Sequence, residues 1–254
     1  MQKPGNFMDT TLDSIRDISL YQPRNGYRFS VDALLLYSFV NLPRVERVAD
    51  FGAGSGIIGL LLARKYPKAN VALLEIQEGL ADLATANVKL NGLSERVDVV
   101  RCDIRDLPGD NPAPMILPAG SFDLVISNPP FRREGTGLTS TWEEKSVARH
   151  ELMLTLPGLV AGAGNLLKAK GRFLLIYLPE RLFELSETLR GRGFEVKRLR
   201  FVHSHPSSGA KMALVEAVKD GRPGLKVESP VYIYNEDGTY SFEMRRLYSE
   251  SPVK

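Results

Sequence analysis

Cysteine, tryptophan and histidine are scarce: the 254-residue chain has one Cys, one Trp and three His. A lone thiol, Cys102, excludes an intramolecular disulfide, and no Cys/His cluster offers a zinc site. Cys102 ends the apolar run from Val97, so it is expected to be a buried structural thiol rather than a reactive one. His203 and His205 form a close pair without further ligands, and no metal is assigned to them. No apolar run approaches the roughly 20 residues that cross a bilayer. Met1 to Thr10 carries neither an apolar signal core nor an Arg-rich amphipathic pattern, so the expected compartment is the cytoplasm. Charge of one sign is also lacking. A net charge of +3 permits nucleic-acid binding without arguing for it. There is no internal repeat, low-complexity tract or long linker.

What is present is alternation. With 43% hydrophobic and 25% charged residues, a packed globular core is expected. Strand-length apolar runs at Arg47–Phe51, Val71–Glu75, Val97–Cys102, Phe122–Ser127 and Gly171–Leu178 alternate with helical patterns. The helices are expected at Ala33–Val40, Ile57–Lys65, Gly79–Asn91, Leu152–Lys168 and Glu180–Gly191. Such alternation predicts an α/β, doubly wound, Rossmann-like fold. Two further strands, Phe194–His203 and Lys211–Val218, are joined by a segment too short for a parallel crossover. The sheet is therefore expected to have seven strands, mostly parallel, with an antiparallel last strand. Three regions follow: an N-terminal segment and helix (1–44), a core (45–220), and a small C-terminal extension (221–254). The extension is read as a hairpin, Val231–Tyr234 and Tyr240–Met244 around Asp237-Gly238.

Asp50-Phe51-Gly52-Ala53-Gly54-Ser55-Gly56 closes the first core strand and opens a helix. Glycine lets the backbone turn sharply and approach a ligand, and the helix start offers N–H groups. Gly54, Gly56 and Gly59 also match the G-x-G-x-x-G of nicotinamide-binding loops, so the loop alone leaves the cofactor open. Glu75 ends the second core strand, where a carboxylate can accept from both ribose hydroxyls of either cofactor class. Asp103 follows the third, where it can accept from an adenine amino group. Either acid can equally be a loop charge or a helix cap; three at successive strand ends on one sheet edge make a site.

Asn128-Pro129-Pro130-Phe131 follows the fourth core strand and decides the chemistry. Two prolines stiffen the loop and leave carbonyls without N–H groups. The Asn128 side-chain oxygen and the Pro129 carbonyl can hold both hydrogens of an exocyclic amine, aiming its lone pair at an electrophilic methyl, while Phe131 stacks on the base. The bland alternative is a Pro-Pro turn with a core phenylalanine. An oxidoreductase would leave this segment unexplained and lacks a Tyr-x-x-x-Lys proton donor.

Together Asp50 to Gly56 (with Gly52, Ala53 and Gly54), Glu75, Asp103 and Asn128 to Phe131 resemble the class I S-adenosylmethionine-dependent amino-methyltransferases, over about residues 45 to 218. The segment Gln22 to Asp32 (QPRNGYRFSVD), Ala148-Arg149-His150-Glu151, and Pro230 to Asn235 with Gly238 to Tyr240 are similar to the bacterial tRNA1(Val) (adenine-37-N6)-methyltransferase family. The resemblance implies S-adenosylmethionine as cofactor, RNA and above all tRNA as partner, N6-methylation of an adenine, and an N-terminal segment folded over the cofactor. It implies Asn128, Pro129, Pro130 and Phe131 as the catalytic loop. Phe131 departs from the family's usual tyrosine, which keeps guanine-N2 methylation of rRNA as an alternative, with protein-glutamine methylation a third. Arg132, Arg133, Arg149 and Arg28 are the candidate RNA-phosphate contacts, together with a local excess of basic residues between Arg181 and Lys211. Trp142 can stack on a base or pin the loop that follows the signature.

Overall fold

The computed structural model describes residues 10–24, 30–107, 117–129 and 155–249. The chain opens with a hairpin, β1 (Thr10–Ile15) and β2 (Ile18–Pro23), paired antiparallel from Ile15↔Ile18 to Thr10↔Pro23. This hairpin was not expected from the sequence. Its turn, Arg16-Asp17, lacks the Asn-Gly or Gly signal of tight hairpins, and Arg16 takes a left-handed φ of 55°. Ile18 and Leu20, at alternate positions of β2, bury completely. Helix α1 (Val31–Phe39) follows.

The core alternates as the periodicity predicts. It runs β3 (Arg47–Phe51), α2 (Ile57–Lys65), β4 (Asn70–Glu75), α3 (Glu78–Leu90), β5 (Val97–Arg101) and β6 (Phe122–Ser127). Then come α4 (Leu156–Leu166), β7 (Leu167–Tyr177), a 3₁₀ turn at Pro179–Arg181, α5 (Leu182–Arg190), β8 (Phe194–His203) and β9 (Ala210–Lys219). Two short strands, β10 (Lys226–Val227) and β11 (Val231–Tyr232), both run parallel to β8. The seven long strands lie in the order β8-β9-β7-β6-β3-β4-β5, with β9 antiparallel to both neighbours. This is the doubly wound, mostly parallel sheet that the sequence predicts.

Side chains alternate faces along each strand, so each strand feeds two cores. Val48, Leu73, Ile126 and Ile176 join α1, α2, α3 and the hairpin on one face. Ala49, Leu74, Val125 and Leu175 join α4 and α5 on the other. Gly59 allows α2 to lie against β4, since a Cβ there would stand 2.1 Å from the Leu73 side chain.

Several expected boundaries move, α4 starting at Leu156, β7 at Leu167 and α5 at Leu182. The helix expected to reach Lys168 ends at Leu166, because Leu167 already pairs with Phe122; a bulge and a left-handed Lys170 (φ 64°) follow. In the C-terminal extension, Tyr234 bridges Tyr240 across the Asp237-Gly238 turn, but Tyr240–Met244 is not a strand. Helix α6 (Phe242–Ser249) takes its place, started by the Ser241 hydroxyl accepting the Met244 N–H at 3.2 Å and anchored by fully buried Met244.

Candidate active site

In a parallel sheet the functional residues gather at the carboxyl ends of the strands. Here the ends of β5, β4, β3 and β6 stand side by side in that order, spanning about 14 Å at three strand spacings. They bring Asp103, Glu75, the glycine loop and Asn128 onto one edge. The Ser127 hydroxyl, wholly buried, donates to the Phe51 carbonyl at 3.0 Å. That bond holds the start of the Asn128-Pro129 loop against the start of the glycine loop. Asn128 is half-buried and Pro129 buried.

The glycine loop is stitched from within. Gly52 and Ala53 donate to the Leu74 carbonyl at 2.9 and 3.0 Å, and Gly56 donates to Ala53 at 2.8 Å. Gly54 donates to Glu75 Oε2 and Gly59 to Asp50 Oδ2, each at 2.9 Å. Gly52, Gly54 and Gly56 take φ values of 69°, 56° and 90°, a region that L side chains seldom enter. The helix start therefore offers fewer free N–H groups than the sequence suggests, and two of them are held by carboxylates. A pyrophosphate needs such donors. A ligand carrying positive charge, with hydroxyls to donate, suits this loop.

Glu75 is 5% exposed and also accepts from the Gln77 N–H at 2.9 Å. A carboxylate has about four lone-pair positions, so capacity remains for hydroxyl donors after two backbone bonds. Asp50 is 1% exposed and lies beneath the loop. Burial pushes its carboxyl up to about 7; the Gly59 N–H bond opposes the shift, and Glu75 adds to it. In the unfolded chain the group ionises near 3.8. Between these values the folded state holds the extra proton, so stability is fully present at low pH and declines as pH rises to about 7. Asp50→Asn cannot ionise and should remove that decline. Urea midpoints from about pH 5 to 8 test this: a constant gap between wild type and variant would show an ordinary Asp50 carboxyl.

Asp103 takes the capping role. Its carboxylate accepts from the Arg105 N–H at 2.9 Å and pairs with the Arg105 guanidinium, which holds it below the usual range. Cys102, read as buried, is half-buried beside it. Burial, then the fields of Asp103, Asp106 and Glu75, push its thiol up to about 11, so it stays protonated and inert.

Pro130, Phe131, Arg132, Arg133, Trp142, Arg149 and Arg28 lie outside the described residues. The basic excess between Arg181 and Lys211 is largely neutralised within the protein. Arg181 pairs with Glu184, Arg190 with Glu195, Arg198 with Glu216 and Glu228, and Arg200 with Glu243. A groove around Arg44, Arg47 and Lys68 opens at the opposite edge, at the starts of β3 and β4, away from this arrangement. Among the described residues no group of three or more His, Cys, Asp or Glu can hold a metal ion, and no helix is long and apolar enough to cross a membrane. Sequence reading missed Ser127 and Asn87, whose buried side-chain amide donates to the Ser55 carbonyl of the glycine loop at 2.9 Å. The second left a signal, an asparagine inside a helix pattern where that residue is unfavourable.

Residues 30–184 match the family model described as the methyltransferase small domain. A tRNA1(Val) (adenine(37)-N6)-methyltransferase of Porphyromonas gingivalis is 30% identical over 215 residues, covering 82% of this chain and 81% of that protein. A protein of the same description from Dyadobacter fermentans is 22% identical over 234 residues, covering 91% of this chain and 93% of its own. Among solved structures, a predicted O-methyltransferase from Agrobacterium tumefaciens superimposes with a TM-score of 0.64 at 24% identity, covering 87% of this chain and 98% of its own.

Proposed function

We propose that this chain, which belongs to the methyltransferase small domain family and to that of the tRNA1(Val) (adenine(37)-N6)-methyltransferases, methylates N6 of an adenine in tRNA, at position 37 of tRNA1(Val). The observation that carries the reading is the placement of Asn128-Pro129 beside a glycine loop stitched from within, with the Gly54 and Gly59 N–H groups held by the buried carboxylates of Glu75 and Asp50. S-adenosylmethionine, when bound, supplies an electrophilic methyl group on a positively charged sulfur. The residues present suit it: Gly52, Ala53, Gly54 and Gly56 shape the cradle, Asp50 braces the loop from beneath through the Gly59 N–H, and Glu75 keeps acceptor capacity for hydroxyls.

On this reading Glu75 accepts from the ribose hydroxyls and Asp103 from the adenine amino group of the cofactor. The Asn128 oxygen and the Pro129 carbonyl accept the two hydrogens of the target amine and orient its lone pair. Pro130 stiffens the loop and Phe131 stacks on the base. The amine becomes acidic as it is methylated, so positioning suffices and no strong base is required. Arg132, Arg133, Arg149 and Arg28 neutralise phosphates around the site. A tRNA substrate places the enzyme in the cytoplasm.

Methyl transfer from labelled S-adenosylmethionine to unmodified tRNA, followed by nucleoside mass spectrometry, tests the function. N6-methyladenosine is expected. N2-methylguanosine would favour the alternative that Phe131 keeps open, and no transfer to any RNA would overturn the substrate class.

Glu75→Ala should weaken S-adenosylmethionine by about 1–3 kcal/mol, the cost of lost charge-assisted hydrogen bonds. Calorimetric titration measures it, and unchanged affinity would remove Glu75 from the site.

A further inference from the structure

Asn87, in the last turn of α3, and Asn91, its C-cap, stand one turn apart, and both address the edge of β2. The Asn91 side-chain amide accepts from the Ser19 N–H at 3.0 Å and donates to the Ser19 carbonyl at 2.7 Å. Asn87 does the same to Tyr21, accepting from its N–H at 2.7 Å and donating to its carbonyl at 3.0 Å. A side-chain amide carries the same donor and acceptor as a peptide group. Residues two apart on a strand are about 6.6 Å apart, close to the pitch of about 5.4 Å that separates one helical turn from the next. The helix thus stands in for a neighbouring strand and covers the hairpin's edge.

The two asparagines then part company. The remaining hydrogen of Asn91 stays within its own helix, on the Asn87 carbonyl at 2.7 Å. That of Asn87 crosses to the Ser55 carbonyl, in the glycine loop, at 2.9 Å. Asn87 is 0% exposed and Ser55 4%, so no water stands ready to replace the bond.

The bond acts on one peptide plane. The Ser55 carbonyl and the Gly56 N–H belong to the same planar unit. Asn87 holds the carbonyl end, and the Ala53 carbonyl holds the N–H end at 2.8 Å. A flip of that plane turns ψ of Ser55 and φ of Gly56, and Gly56, at φ 90°, has no Cβ to resist it. The loop's conformation at this point therefore depends on its hydrogen bonds. Without Asn87 the plane keeps one anchor, and a buried carbonyl loses its donor.

We infer that Asn87 is a positioning residue for the cofactor loop, tying the N-terminal hairpin to the Ser55–Gly56 peptide so that the loop is held in its binding shape. The inference rests on the S-adenosylmethionine reading above. Asn91 is the internal control, since it grips the hairpin with the same two bonds and does not touch the loop.

The test compares Asn87→Ala with Asn91→Ala in the full-length protein, below both melting transitions. Asn87→Ala should raise the S-adenosylmethionine Kd and KM about tenfold, the scale of one lost buried hydrogen bond, with kcat on unmodified tRNA little changed. Asn91→Ala should leave Kd within about twofold while lowering the melting temperature comparably. Should the alanine variants fail to fold, Asn87→Asp against Asn91→Asp makes the same comparison, since each keeps the acceptor and loses both donors. Equal Kd values in either matched pair, with wild type binding normally, overturn the inference and leave the cofactor reading intact. A wild-type protein that does not bind S-adenosylmethionine overturns both.

Discussion

Asn128→Ala is expected to lower kcat by about 10²–10³, the usual loss on removing one positioned electrostatic partner, with S-adenosylmethionine affinity almost unchanged. The side chain stands half-buried at the end of β6, where the buried Ser127–Phe51 bond fixes its approach to the glycine loop. On the proposed reading its side-chain oxygen accepts from an amine whose nitrogen turns positive as the methyl arrives. The interaction therefore strengthens in the transition state and belongs to kcat. Asn128→Asp keeps an acceptor and should retain more activity than alanine. Phe131→Ala should raise KM for RNA, and Phe131→Tyr should be close to neutral. Single-turnover methylation of unmodified tRNA, with cofactor affinity measured alongside, separates these outcomes. An Asn128→Ala enzyme working at the wild-type rate would sink the amine-positioning mechanism.

Arg198→Ala should cost about 3–5 kcal/mol of stability, the usual penalty for leaving a buried charge short of its partner. Glu216 on β9 is 2% exposed and bridges Arg172 of β7 at 2.6 Å and Arg198 of β8 at 2.5 Å. Arg198 also pairs with Glu228 at 2.9 Å, donates to the Phe39 carbonyl at 3.2 Å, and lies over the Phe39 ring at 4.2 Å. Its loss leaves Glu216 with Arg172 as its remaining ion-pair partner among the described residues, and that arginine is 36% exposed. For a chain of this size the melting temperature should fall by on the order of 10 °C. Arg200, two residues along the same strand, pairs with a Glu243 that is 41% exposed, and Arg200→Ala should cost only about 1 kcal/mol. Denaturant unfolding of both variants checks the contrast. Equal losses would show that burial of Glu216 adds nothing.

The basic excess between Arg181 and Lys211 shows how far local composition reaches. Counted along the chain it resembles an RNA-binding surface. In the fold, Glu216, Glu228 and Glu243, all beyond that window, close on Arg198 and Arg200. Charge content is a property of the sequence, whereas available charge depends on which partners the topology delivers.

By itself the sequence determined the alternation of strands and helices, the antiparallel β9, and the gathering of the glycine loop, Glu75, Asp103 and Asn128 at one sheet edge. These rest on periodicity and on residues within a few positions of one another, which local backbone preference governs. Only the tertiary structure decided the N-terminal hairpin, whose turn carries no local signal and whose exposed edge is satisfied by Asn87 and Asn91, 66 and 72 positions away. It also decided that the loop's N–H groups are consumed within the protein, that Asp103 pairs with Arg105, and that α6 replaces a strand after Tyr240. Each of these depends on which hydrogen-bond or ion-pair partner lies nearest in space. That choice is made when the sheet assembles and brings distant segments together, and no local pattern of residues encodes it.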